Sequence, residues 1–293
     1  MIKRVIALGY FDGVHRGHQK ILGEAAAQAK RLGATAAVVT FDNQPRAFLK
    51  KRPPNLISSK EQRRGYILEQ GIEEVYMLPF DDKMAAMEPE DFVRDILIGT
   101  YNCCAVVCGE NYTFGAKGRG DREMMTRLGR ELGFEVYVCS PVFNEDRTVS
   151  STWIRNLITE GDMKKVQELM GRPYAIMGEV EHGRGVGRRL GFPTGNIALD
   201  PARLSPRYGV YAAWMKMGGE RYRCALNIGI RPTFGLDTPV AEFNILDFSG
   251  DIYGTDIQLD LIEFLRPEQT FASAEELTAQ IAKDVQRVKE ILK

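Results

Sequence analysis

The chain contains three histidines, and two of them, His15 and His18, stand three residues apart in the run Gly9-Tyr-Phe-Asp-Gly-Val-His-Arg-Gly-His18. Gly9, Gly13 and Gly17 surround them, an apolar segment precedes the run and a helix-like one follows it. Glycine permits close approach of the backbone to a ligand, and a helix N-terminus presents free N–H groups to an anion. Two imidazoles in that setting can bind and neutralise phosphates through a displacement at phosphorus. A metal pair at helical spacing and a plain polar helix cap are competing uses of the same histidines, but neither accounts for the glycines. Farther along, Gly183-Arg-Gly-Val-Gly-Arg-Arg-Leu-Gly-Phe-Pro-Thr-Gly-Asn196 leads a glycine- and arginine-rich loop into a Pro-Thr-Gly-Asn turn. Its spacing is neither that of a Walker loop nor that of a dinucleotide fingerprint, so Gly185 and Gly187 fit phosphate binding and a solvated hairpin equally well. The side-chain oxygens of Thr194 and Asn196 suit Mg²⁺, which prefers oxygen ligands and bridges nucleotide phosphates with few protein groups.

The elements that must hold these residues differ between the two halves. In the first, short apolar runs read as strands over Arg4–Gly9, Thr35–Phe41, Glu74–Leu78, Cys104–Cys108 and Glu135–Cys139, apolar enough at the centre to be covered on both faces. Helical periods lie between them at about 16–32, 60–70, 89–98 and 121–132. The first carries Ile21, Leu22, Ala25, Ala29 and Leu32 on one face and stops at Gly33; the second opens with a capping box from Ser58 to Glu61 and stops at Gly71. Repeated βα units predict a doubly wound parallel sheet, with ligands beyond the carboxyl ends of its strands. A short helical stretch over about Thr152–Leu169 follows, and the period changes at Gly171-Arg-Pro173. From there Tyr222, Cys224, Leu226, Ile228 and Ile230, and later Ile257, Leu259 and Leu261, alternate with other residues at the two-residue period of antiparallel strands. The second half is therefore expected to be a β-barrel or sandwich. It ends in one helix, capped by Ser273 and Glu276, with Leu277, Ile281, Val285 and Val288 on its buried side. The domains are expected at 1–172 and 173–293.

A length of 293 residues suits two domains, and 44% hydrophobic with 27% charged residues gives each a core. Lys+Arg and Asp+Glu are both 39, a net charge of zero. That argues against a dedicated nucleic-acid binder, which carries excess cations to displace counterions. No apolar run approaches the roughly 18 residues of a membrane helix, and Val5–Leu8 is too short for a signal-peptide core, so the expectation is a cytoplasmic protein with no membrane partner. The cysteines are odd in number, without Cys-x-x-Cys spacing, and sit in apolar segments: Cys103, Cys104, Cys108, Cys139 and Cys224 read as buried free thiols. His182 has no partner in the pattern and reads as a surface residue.

With these motifs in place, the first half resembles the nucleotidyltransferases that carry a His-x-Gly-His motif, and Ser150-Ser-Thr-Trp-Ile-Arg155 matches their second signature. Gly9-Tyr-Phe-Asp-Gly-Val-His, Thr40-Phe-Asp42 and Gly109-Glu-Asn-Tyr-Thr-Phe-Gly115 narrow the likeness to the bacterial FAD synthetases. The second half resembles riboflavin kinase through Gly191-Phe-Pro-Thr-Gly-Asn196, Tyr208-Gly-Val-Tyr211, Asn227-Ile-Gly-Ile-Arg-Pro-Thr-Phe234, the stretch from Glu242 to Gly254, and Phe264-Leu-Arg-Pro267. Together they resemble the bacterial bifunctional riboflavin kinase/FAD synthetase family. That resemblance implies ATP-dependent phosphorylation of riboflavin to FMN by the second half and adenylylation of FMN to FAD, with release of pyrophosphate, by the first. It implies catalytic roles for His15, His18 and Arg155, and nucleotide binding by Gly9, Phe11, Asp12, Gly13, Ser151, Thr152, Gly185 and Gly187. It further implies flavin binding by Asn111, Phe114 and Arg266, Mg²⁺ at Thr194 and Asn196, and Glu242 as general base for the flavin's primary hydroxyl. The chain departs from the family pattern at Asn43-Gln44 before Pro45, where the family has His-Pro, at Asn111-Tyr112 for Asp-Phe, and at Trp153. It also departs at Gly195 for alanine, where a looser turn is expected because glycine loses more entropy on ordering. A flavin-sensing regulator that binds FMN and contacts RNA or a partner protein is the rival class. The balanced charge and the complete histidine, hydroxyl and arginine set argue against it.

Overall fold

A computed structural model describes residues 2–51, 55–182, 194–233 and 236–293. Contacts divide the chain into two compact units, Met1–Ser151 and Thr152–Lys293. The first runs β1 (Arg4–Leu8), α1 (Arg16–Leu32), β2 (Thr35–Phe41), α2 (Pro45–Lys50), α3 (Lys60–Leu68), β3 (Glu74–Leu78) and α4 (Asp82–Ala86). A helix α5 starts as Pro89–Asp91 and continues, wound as a π-helix, through Phe92–Thr100. Then come β4 (Cys103–Gly109), α6 (Arg122–Leu132), β5 (Glu135–Cys139) and a hairpin of β6 (Phe143–Asn144) and β7 (Arg147–Thr148).

The five strands β1 to β5 form a parallel sheet in the order β3-β2-β1-β4-β5. Because successive side chains point to opposite faces, a strand covered on both sides must be apolar throughout. Val5, Ala7, Val38, Ala105 and Val107 pack with Leu22, Ala25 and Ala29 of α1 and Ile67 of α3. Ile6, Leu8, Ala37, Val39, Val106 and Cys108 pack on the other side with Phe92, Val93 and Leu97 of α5 and with Met125 and Leu128 of α6. The strand order reverses at β1, whose neighbours are β2 and β4, so the crevice of a doubly wound sheet opens at the carboxyl ends of β1 and β4. The histidine loop leaves β1 at that point.

Several local expectations shift. The capping box that opens α3 is Ser59 with Gln62, not Ser58 with Glu61: Gln62 N–H donates to Ser59 Oγ, and Ser59 N–H donates to Gln62 Oε1. Ser58 is used elsewhere. The stretch expected as one helix over 152–169 is two, α7 (Ser151–Glu160) and α8 (Met163–Met170). They are parted at Gly161, whose φ of 86° is left-handed, and Asp162 caps the second.

The second unit adds β8 (Tyr174–Glu179), β9 (Gly195–Ala198), β10 (Gly209–Met217), β11 (Glu220–Thr233), β12 (Leu236–Ile245), β13 (Asp256–Arg266) and the terminal α9 (Ala274–Ile291). The strands pair antiparallel in the order β8-β13-β10-β11-β12-β9, and Glu181 bridges to Asn196 so that the two edges meet in a nearly closed barrel. Tyr211, Ala213, Met215, Cys224, Leu226, Ile228, Ala241, Phe243, Leu259 and Leu261, one alternate set along their strands, are fully buried. Ile230, which continues the alternation, lies beyond the buried stretch and is exposed. Gly195 is a strand residue rather than part of a loose turn: a Cβ there would stand 2.6 Å from Phe243 Cζ and 2.9 Å from Val180 Cγ1, so an alanine would require those side chains to shift.

The opposite face of the barrel carries α9, with Val288 and Leu292 against Ala212 and Leu246. Ser273 caps this helix by accepting from Glu276 N–H, as the pattern indicates. Its buried face also holds a charge that hydrophobic periodicity does not reveal. Asp284, 7% exposed, receives a two-pronged bond from Arg266 at the end of β13, with Nε at 3.0 Å and Nη2 at 2.7 Å from Oδ2, and Gln280 Nε2 donates to its Oδ1. Removing one partner of a buried pair strands the other charge. Asp284→Ala should therefore destabilise this unit by about 3 kcal/mol. Urea unfolding of the full chain measures this, and a loss of only a few tenths of a kcal/mol would mark the pair as a solvated one.

Candidate active sites

In the first unit the chain leaves β1 through a turn that few sequences tolerate. Phe11, Gly13 and Val14 all have positive φ, at 56°, 78° and 39°. Glycine adopts that region freely; phenylalanine and a β-branched valine do not, so the surroundings must hold them there. Asp12, 2% exposed, supplies the hold. Its carboxylate accepts from the amides of Ile57 at 3.0 Å and Ser58 at 3.2 Å, while Ser58 Oγ accepts from Gly13 N–H at 3.1 Å. Ile57 packs so closely on Gly13 that a Cβ there would lie 2.9 Å from its Cγ2. Asp12, expected at the nucleotide, thus turns its carboxylate into the 57–58 segment and braces the turn.

The brace sets the start of α1. His15 is its N-cap, and its Nδ1 accepts from His18 N–H at 3.3 Å. With Nδ1 used as an acceptor, the proton of neutral His15 sits on Nε2. The two imidazoles stack with centroids 3.7 Å apart, and Phe11 meets His18 edge-on at 5.3 Å. Gly17 leaves room for this: a Cβ would come within 3.1 Å of the His15 ring. The spacing read from the sequence therefore brings both rings together at a helix N-terminus, at the switch point of the sheet. Phe11, expected to touch nucleotide, is 1% exposed and serves as the wedge beneath His18, with its ring packed against Gly9.

The second signature reaches the same turn. Ser151 Oγ donates to the Asp12 carbonyl at 3.1 Å, and Ser151, Thr152 and Arg155 lie on the same helix, α7. At the end of β4, Asn111 is exposed, whereas Phe114 is 6% exposed in the core, its ring nearly parallel to that of Tyr112 with centroids 6.0 Å apart and packed against Gly120. Asn43, in the Asn43-Gln44 pair ahead of Pro45, forms a reciprocal pair with the Phe80 backbone, donating to its carbonyl at 2.9 Å and accepting from its amide at 2.8 Å.

The second unit assembles its own row. Asn196 of β9 is in register with Glu242 of β12, Glu242 with Asn227 of β11, Asn227 with Val210 of β10, and Val210 with Arg266 of β13. Residues directly paired across strands share a face, so polar groups from four strands line one side of the barrel wall. Thr194 Oγ1 donates to Glu242 Oε1 at 2.9 Å, and the Tyr253 hydroxyl donates to the Thr194 carbonyl at 3.3 Å. His182, at the surface, has a partner after all: it stacks on Tyr253 at 3.6 Å. Thr194 gives its proton to Glu242 and keeps its lone pairs, and with the Asn196 amide oxygen it makes the hard, mostly neutral donor set that fits Mg²⁺. Among the described residues no group of three or more His, Cys, Asp or Glu gathers to cage a metal. Arg266, expected at the flavin, has its guanidinium on Asp284. Gly185 and Gly187 lie outside the described residues.

Two family profiles match the chain in succession: FAD synthetase over residues 2–153 and riboflavin kinase over residues 170–292. The bifunctional riboflavin kinase/FMN adenylyltransferase of Bacillus subtilis is 37% identical, covering 97% of this chain and 91% of its own length. The Escherichia coli K12 protein of the same name is 34% identical over 96% and 90%. The chain belongs to this bifunctional family. Its first half is a FAD synthetase domain and its second a riboflavin kinase domain. A crystal structure of a Streptococcus pneumoniae protein named as a macrolide-efflux protein superposes with a TM-score of 0.91 at 30% identity, covering 98% of this chain and 94% of that one. Among the described residues here, no helix is long and apolar enough to cross a membrane.

What motif reading missed in the FAD synthetase domain is the support under it. Ile57 and Ser58 lie more than forty positions from the residues they hold. The one local signal there, a serine ahead of a helix, points to the cap formed by Ser59. Asp12→Ala would leave two buried amides without an acceptor, at about 1–3 kcal/mol each. A fall of at least about 2 kcal/mol in urea stability is expected, with FAD synthesis lost and FMN synthesis from riboflavin kept; a stable variant that still makes FAD would show that the turn holds itself.

Proposed function

We propose that the two sites work in sequence on one flavin, each with its own ATP, the second half making FMN and the first making FAD. The observation that carries the reading is the His15–His18 pair, stacked at a helix N-terminus on a braced turn to which Ser151 is also tied. There the FMN phosphate oxygen attacks the α-phosphorus of ATP, the bond to the β-phosphate oxygen breaks, and pyrophosphate leaves. His18 and His15 stabilise the charge that develops on the phosphoryl oxygens. Ser151, Thr152 and Arg155, with the backbone around Gly9 and Gly13, hold the phosphates in line. Asn111 contacts the flavin, and Phe114 acts from the core by shaping the wall of its pocket.

In the kinase half, Glu242 takes the proton of the riboflavin primary hydroxyl, whose oxygen attacks the γ-phosphorus as ADP leaves. The Thr194 bond to Glu242 fixes the carboxylate for this step. Mg²⁺, when bound, would be held by Thr194 and Asn196 and would neutralise the nucleotide phosphates. Gly185 and Gly187 contribute backbone to the same nucleotide. Arg266 acts on the flavin through the segment it anchors. The functional division we assign is 1–172 for adenylylation and 173–293 for phosphorylation.

The five cysteines are free, and burial pushes the Cys108 thiol up to about 11 and those of Cys103 and Cys224 higher, so they suit a reducing compartment. We assign the cytoplasm. Incubating pure protein with riboflavin and MgATP and separating the flavins tests the whole reading: FMN should appear first and FAD after it, and neither product means the assignment is wrong.

Two substitutions separate the halves. His18→Ala should cost roughly 2.7–4 kcal/mol of barrier for FAD synthesis, as loss of one oxyanion donor does, with FMN formation unchanged. Glu242→Gln keeps shape and hydrogen bonding, so it should lower kcat for riboflavin phosphorylation about 10²- to 10⁴-fold with little change in KM. If it raises KM alone, Glu242 positions the flavin and the base lies elsewhere.

A further inference from the structure

Arg63 lies on α3, outside every motif, and is 2% exposed. Burying a guanidinium is costly unless it is hydrogen-bonded, and the hydrogen bonds of this one are not to carboxylates. Its bonds go to backbone instead. Nη1 donates to the Tyr10 carbonyl at 2.8 Å, Nη2 donates to the Phe41 carbonyl at 2.6 Å, and the cation lies over the Tyr10 ring at 4.2 Å. Tyr10 follows β1 and Phe41 ends β2, so one planar fork spans the carboxyl ends of two neighbouring strands. Desolvation lowers the pKa of the group, while the dipoles and charges of Tyr10, Asp12 and Asp42 oppose that shift.

The Tyr10 carbonyl is a telling partner. It belongs to the peptide plane that precedes Phe11, and the orientation of that plane relative to Phe11 is the φ angle of Phe11. A donor that fixes the carbonyl therefore helps fix the left-handed φ of 56°, and with it the ring that stands edge-on to His18. We propose that Arg63 is a positioning residue for adenylyl transfer, holding the Tyr10–Phe11 peptide so that Phe11 seats His18 against the phosphates. The proposal rests on the reading of His18 given above. Asp12 braces the turn from the 57–58 side and Arg63 from the strand ends, so the strained backbone is held at both ends. Lysine would keep the charge but lacks the planar fork that reaches two carbonyls at once.

The test uses the full chain. Arg63→Met should lower kcat for FAD synthesis from supplied FMN about 10²-fold, the effect of an ångström-scale misplacement, with KM for FMN and ATP nearly unchanged and riboflavin phosphorylation at its original rate. Arg63→Lys should fall between. A structural role alone would remove active enzyme without altering the site, so a second measurement is needed. The chain has only three histidines, and imidazole proton resonances are assigned by substituting each in turn. In Arg63→Met and Arg63→Lys, recorded below their unfolding temperatures, the His18 ring resonances should shift as the Phe11 edge moves away. In Ile67→Val, a destabilising change in the buried face of the same helix, they should not. Unshifted His18 resonances in both Arg63 variants, or a kcat loss no larger than in Ile67→Val, overturns the proposal. Intact FAD synthesis by His18→Ala overturns the reading beneath it, while the resonance shift still decides whether Arg63 sets the ring.

Discussion

The histidine turn of the FAD synthetase domain depends on a backbone that would not stay in place by itself. Between the end of β1 and the start of α1 the chain must turn sharply enough to aim a helix N-terminus into the crevice, and it does so with positive φ at Phe11, Gly13 and Val14. Such a turn relaxes unless other groups over-determine it. The Asp12 carboxylate on the amides of Ile57 and Ser58, the Ser58 hydroxyl on Gly13, and the Ser151 hydroxyl on the Asp12 carbonyl all converge there. These partners come from after β1, from ahead of α3 and from after β5, so the sheet order that brings those segments together is a precondition of the histidine geometry.

The kinase half solves a related problem with strands. A carboxylate on a flat, fully solvated wall would take any orientation, whereas Glu242 is held in a row whose neighbours are set by register. The alternation that buries Ala241 and Phe243 inside the barrel forces Glu242 onto the other face, next to Thr194 and Asn196. A one-residue slip of β12 would carry the carboxylate into the core, so register alone decides which face Glu242 takes. Gly195 belongs to that constraint: it lets β9 lie against the ring of Phe243, and β9 carries Asn196.

The same side-chain chemistry is put to different uses according to burial. Arg155, on α7, is assigned to phosphates, while Arg63 and Arg266, equally charged, are committed to backbone carbonyls and to Asp284. Asp12 and Asp284 use their carboxylates in the same way, on the Ile57 amide and on the Arg266 guanidinium. Charge type alone does not tell a substrate group from a support.

The sequence by itself determined the parts governed by local periodicity and spacing. The parallel strands, the ends of α1, the cap of α9 and the two-residue alternation of the barrel were all legible, because each is written within a dozen neighbouring residues. His15 and His18 were legible for the same reason: three residues apart at a helix start, they must lie close together. Tertiary structure decided which groups remain open to a ligand. Phe114 went into the core and Arg266 to Asp284, while Ser58 left the helix cap to hold Gly13. Each outcome depends on a partner distant in sequence, and no pattern of spacing along one segment records which distant group will satisfy a polar atom or cover an apolar one once the sheet and barrel have closed.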